Sequence, residues 1–118
     1  MNIFTIVVSV LVALEFFFIM YLETFATTSD KTAKTFGMTY DDLQNVKIQS
    51  LFKNQGVYNG LIGLGILYSL FIVESSSILG MILVYIVGVA VYGSFTVDKS
   101  IVFKQGGLAI LALITMLF

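Results

Sequence analysis

Residues 3–22 read IFTIVVSVLVALEFFFIMYL. Twenty residues pass with Thr5, Ser9 and Glu15 as the interruptions in an otherwise apolar run. A helix of ~20 residues covers the hydrocarbon core of a bilayer. The run is too long for a strand and lacks strict alternation. With no water to satisfy the backbone, a helix is the natural spanning form. Glu15 lies near the centre of the run, where an acidic residue costs roughly 2.5–3.5 kcal/mol on insertion scales. That cost makes Glu15 the first pointer to purpose. A cleaved leader fits poorly: no lysine or arginine precedes the run, Glu15 interrupts it, and Thr24-Phe25-Ala26 is a weak cleavage site. A retained helix is expected.

Working outward, three more apolar runs follow, at 57–73, 78–97 and 101–118. The sequence predicts an all-α membrane protein: one domain over 1–118, an antiparallel bundle of four transmembrane helices. Their expected bounds are about 3–26, 55–73, 78–97 and 101–118. Composition agrees, with 58% hydrophobic and 11% charged residues in 118. Soluble domains carry about 25% charged residues. The net charge of −1 gives no reason to expect a nucleic acid partner. All six basic residues are lysines, so no guanidinium fork is present for bidentate recognition. Histidine and cysteine are absent, which excludes imidazole and thiolate chemistry. No cofactor and no metal site is expected.

Lysines set the orientation. Lys31, Lys34, Lys47 and Lys53 lie between the first two runs, and Lys99 and Lys104 between the last two. The intervening Glu74-Ser75-Ser76-Ser77 has none. The positive-inside rule puts the first and third connections in the cytoplasm and both termini outside a plasma membrane. Within the long first connection, Asp30 can cap a short helix to Phe36, ended by Gly37. Thr39 and Asp42 resemble a capping box. Tyr40, Leu43, Val46, Leu51 and Phe52 give 40–53 an apolar side, and a short amphipathic helix is expected there, at the interface or against the bundle's end. Gly56 offers a hinge between it and the second span.

With that orientation the polar groups gather at one depth. Glu23 ends the first span; Asn54, Gln55, Tyr58 and Asn59 open the second; Tyr92 and Thr96 close the third; Lys104 and Gln105 open the fourth. Gln55 and Asn59 are four apart and share a helix face, as do Tyr92 and Thr96. Glu15 lies about 12 Å deeper than Glu23, at ~1.5 Å per residue. Embedded polar groups normally face a bundle interior or a wet cavity. The expected site is a polar pocket open to the cytoplasm, with Glu15 at its blind end. Blander readings stand beside it. Glu15 can serve as glue or pair with Lys104, Glu23 can simply be solvated, the tyrosines can anchor at the interface, and Lys104 can snorkel. Gly56, Gly60 and Gly63 form a small-residue edge best read as helix packing.

Ala13-Leu14-Glu15, Tyr21-Leu22-Glu23-Thr24-Phe25, Phe36-Gly37 and above all Asn54-Gln55-Gly56-Val57-Tyr58-Asn59-Gly60 resemble the DUF1304 family of small bacterial integral membrane proteins. Tyr92-Gly93, Thr96 and Gln105 extend the resemblance over essentially the whole chain. It implies a four-helix membrane protein and no agreed activity. Phe16 stands where the resemblance leads one to expect histidine, which counts against a proton relay.

The function expected is binding of a small or lipophilic ligand around Glu15, in a protein whose partner is the lipid bilayer. Three alternatives stay open. A proton-coupled transporter would let Glu15 exchange a proton for a cationic ligand, like the small multidrug exporters in layout alone. An intramembrane enzyme would use Glu15 or Glu23 as acid–base group with Tyr58 or Tyr92. An accessory subunit would use the glycine edges to dock a partner. A chain this small also admits homo-oligomers.

Overall fold

The computed structural model describes residues 1–96 and 101–118, and of Ile101 and Val102 the backbone alone. Expectations for Val97, Asp98 and Lys99 lie outside the described residues. Among the described residues all regular secondary structure is helical, with no strand. α1 covers Ile3–Met20 and runs into a π-helical turn at Tyr21–Phe25. α2 covers Asp30–Phe36, α3 Tyr40–Gln44, α4 Val46–Phe71, α5 Ser76–Thr96, α6 Ile101–Lys104 and α7 Gly107–Thr115. Two stretches, Ile3–Phe25 and Ser76–Thr96, have the length and composition to cross a membrane.

The chain divides into two compact units, Met1–Ala13 with Leu64–Phe118, and Leu14–Gly63. In the first unit, Leu79, Leu83, Ile86 and Ala90 form one buried face of α5 at helical spacing. Ala109 and Ala112 are buried on α7, and small residues there allow helices to approach closely. Asn2 ties the ends of this unit together. Its Oδ1 accepts from the Thr5 backbone at 2.8 Å, capping α1, and its Nδ2 donates to the Thr115 carbonyl at 2.7 Å. The hydroxyls of Thr5 and Thr115 lie 2.9 Å apart.

In the second unit Phe16, Leu22 and Leu43 are buried, and the rings of Phe36 and Phe52 meet edge-on with centroids 5.4 Å apart. Ser29, not Asp30, caps α2, its hydroxyl accepting from the Thr32 backbone. Asp30 is the first helical residue, where its charge suits the dipole. Gly37 ends α2 with φ of 65°, the left-handed conformation that glycine adopts freely. Thr39 and Asp42 make the reciprocal capping box of α3. The hydrogen bonds from Thr39 hold the Asp42 carboxyl below its usual range.

The helix expected over 40–53 is broken at Asn45. The Asn45 side chain accepts from the backbone of Lys47 at 2.9 Å, so this residue ends α3 and caps α4 at once. α4 then passes through Gly56 without a hinge, joining the expected interfacial segment and the expected second span in one 26-residue helix. The helix expected over 101–118 is also interrupted. α6 stops at Lys104, and α7 restarts at Gly107, with Gly106 at its N-cap position. Glycine in a helix interior costs about 1 kcal/mol relative to alanine, and two together favour a break.

Candidate functional site

The end of α1 widens. The Ala26 backbone donates five residues back to the Tyr21 carbonyl at 2.9 Å, the mark of a π turn. Such turns leave carbonyls in need of donors, and threonines supply them. The Thr27 hydroxyl bonds the Glu23 carbonyl at 2.7 Å. Thr32, reaching back from α2, bonds the Ala26 carbonyl at 2.7 Å and the Leu22 carbonyl at 3.1 Å. α2 is thereby folded back along the end of α1.

Inside this turn sits Glu23, with no exposure at all. Its Oε2 accepts from Gln55 Nε2 at 2.6 Å, and its Oε1 accepts from Asn59 Nδ2 at 2.6 Å. One donor meets each carboxyl oxygen, and both donors come from one face of α4. The intervening glycines explain how α4 comes so close. A Cβ on Gly56 would collide with the Thr24 hydroxyl, lie 3.0 Å from the Thr24 nitrogen and 3.1 Å from Glu23 Cβ. A Cβ on Gly60 would collide with the Met20 thioether. Thr24 adds a hydroxyl bond of 3.0 Å to the Lys53 carbonyl. The stretch Gln55-Gly56-Val57-Tyr58-Asn59-Gly60 thus alternates contact and reach: glycines admit the neighbouring helix, and the amides beside them grip its carboxylate.

Glu15 is different. It is half-buried, and its Oε1 is buried with no hydrogen-bond partner among the described residues. The Ser9 hydroxyl on the same helix is likewise unpartnered. Buried polar atoms are rarely left so. A free carboxyl oxygen in an apolar stretch can accept a hydrogen bond or meet a cation. Glu23, with both oxygens engaged, is better suited to holding geometry.

Asn54 and Tyr58 are exposed on α4, Tyr58 by 71%. Tyr92, Thr96, Lys104 and Gln105 belong to the other compact unit. Tyr92 and Lys104 are exposed there, Gln105 is half-buried at the break before α7, and the Thr96 hydroxyl bonds the Tyr92 carbonyl at 3.0 Å. No group of three or more potential metal ligands occurs among the described residues.

Sequence reasoning did not anticipate Thr24, Thr27 and Thr32, nor Met20 as the neighbour of Gly60. Four threonines in the nine residues 24–32, after an apolar run, were the visible signal. The π turn had none.

A family match now joins this geometry. The family described as "Protein of unknown function (DUF1304)" matches residues 10–117. The chain belongs to that family. It is also 56% identical over 119 residues to the "Uncharacterized protein YpaA" of Lactococcus lactis subsp. lactis (strain IL1403), covering all of both chains. No solved structure matches it. In this DUF1304 chain the matched region holds Glu15 and the whole Glu23–Gln55–Asn59 cluster.

Proposed function

We propose that this chain is a multi-pass plasma-membrane protein with four crossings. On this reading it binds a small or lipophilic ligand at a polar site around Glu15, reached from the cytoplasmic side. Support for the membrane comes first from exposure. The two apolar stretches have only 28% and 22% of their most apolar windows buried, whereas the core helix of a soluble protein would be mostly covered. Phe95, Phe103 and Phe118 are 85%, 77% and 94% exposed. Apolar surface on this scale marks contact with lipid or a partner.

The observation that carries the binding reading is the buried, unpartnered Oε1 of Glu15. It lies on the same helix as a carboxylate whose oxygens are both satisfied. An acid used only as glue would be expected to resemble Glu23. Glu15 instead keeps an acceptor for a group that the chain does not supply. Glu23, Gln55 and Asn59 then act as the fixed wall that positions the α1 end.

The test is ligand-dependent melting of the purified chain in detergent, against a panel of lipids and small cations. A specific ligand at 100 times its Kd stabilises by about 2.7 kcal/mol. The expected result is a shift in wild type that Glu15→Gln abolishes. A panel without effect, or a shift that Glu15→Gln retains, rejects the reading.

A further inference from the structure

Phe18 follows Glu15 by three residues in α1, so the two side chains share one stripe of the helix. The Lys31 Nζ, from α2, stands 5.3 Å from the centroid of the Phe18 ring. A cation at that distance over an aromatic face is attracted by the ring quadrupole. Lys31 reaches the ring because its neighbour Thr32 is bonded to the Leu22 and Ala26 carbonyls, which folds α2 back. The ring therefore already holds an ammonium group. One turn away, Glu15 keeps a buried oxygen with no partner, and no ion pair joins it to Lys31 among the described residues. Leu14, four residues before Phe18 and so on its face, is exposed.

We propose that Glu15 and Phe18 form a site for a lipophilic organic ammonium ion, and that Lys31 is its tethered competitor. The proposal rests on the reading of Glu15 as a binding group and adds the class of ligand. Each component matches one part of such a molecule. The carboxyl oxygen accepts an N–H, the ring face takes the charge, and the exposed Leu14 beside the ring suits an apolar body. A neutral lipid would leave the ring's attraction for charge unused, and an anion would meet Glu15 unfavourably. Lys31 is exposed, and an exposed cation–π contact is weak enough to yield to a ligand that satisfies the ring and the carboxyl together.

The probe is octylammonium, titrated calorimetrically into the full chain in zwitterionic nanodiscs, with empty nanodiscs as background and octanol and octanoate as controls. Glu15→Gln is expected to weaken binding about tenfold or more, as loss of a charge-assisted hydrogen bond does. Phe18→Leu should weaken it about threefold to tenfold, and Lys31→Gln should tighten it by a similar factor, the size of a cation–π contact. Lys31→Arg, which keeps the competing cation, should leave it near wild type. Melting curves show that each variant is folded. If Lys31→Gln fails to tighten binding, or Phe18→Leu leaves it unchanged, the inference falls. The Glu15 site survives that result as long as Glu15→Gln still weakens binding about tenfold or more. Failure of octylammonium to bind both wild type and Lys31→Gln also overturns it, while the wider ligand panel decides the Glu15 reading separately.

Discussion

Glu15 and Glu23 are the same residue type, eight positions apart on one helix, and their surroundings assign them different work. Glu23 is fully covered, and each of its oxygens is held at 2.6 Å by an amide. Removing one donor leaves a buried acceptor unsatisfied, which costs about 1–3 kcal/mol. Asn59→Leu should lower stability in detergent by about that amount, measured by thermal unfolding. Gln55→Leu should cost less, because Gln55 is exposed and water can replace its amide. Equal losses at the two positions would contradict the burial difference. Depth reasoning on the sequence singles out Glu15 and groups Gln55 with Asn59 on one face. It places Glu23 among the pocket residues, with solvation as the blander reading, and does not foresee its full burial, because position along a helix says nothing about what folds back over it. The cover comes from Thr27 and Thr32, whose hydroxyls hold the segment after the π turn against Glu23 and Leu22.

At the scale of elements, capping signals are legible and interruptions are not. The Thr39–Asp42 box and the Gly37 stop are local chemistry, so the sequence carries them in full. The break at Asn45 is local too, but a polar residue amid an apolar face reads equally as the wet side of a helix. α4 and its glycines show how packing decides the rest. Gly56 and Gly88 look alike as letters within apolar helices. A Cβ at Gly56 meets the short Thr24 side chain and the Thr24 backbone, whereas a Cβ at Gly88 meets nothing within 4 Å. Gly56→Ala should destabilise by about 1–3 kcal/mol through overpacking. Gly88→Ala should stabilise by up to about 1 kcal/mol through helix propensity. Gly60→Ala should fall between them, since the end of Met20 can swing aside. Melting temperatures of the three variants give the order directly, and a stabilised Gly56→Ala would refute the close approach of α4 to the end of α1.

For the whole molecule the open quantity is the number of crossings, and helix lengths frame it. α4 has 26 residues, about 39 Å at 1.5 Å per residue, which exceeds a hydrocarbon core of about 30 Å. Its excess sits at the start, where Lys47, Lys53 and Asn54 are exposed. A crossing by α4 with a polar foot in the cytoplasm accounts for both length and composition. α7 has nine residues, about 14 Å, so a last crossing needs α6 as well. Four crossings put Ser77 and Lys34 on opposite sides of the membrane. Two crossings, by the Ile3–Phe25 and Ser76–Thr96 stretches alone, put both on the same side. The chain has no cysteine, so an introduced thiol is the sole target for a maleimide. With four crossings, Ser77→Cys should react with a membrane-impermeant maleimide in intact cells, and Lys34→Cys only after permeabilisation. Reaction of both before permeabilisation, or of neither, would remove α4 from the membrane. It would also remove the placement of Gln55 and Asn59 at a cytoplasmic entrance, leaving the amide grip on Glu23 as a feature of folding alone.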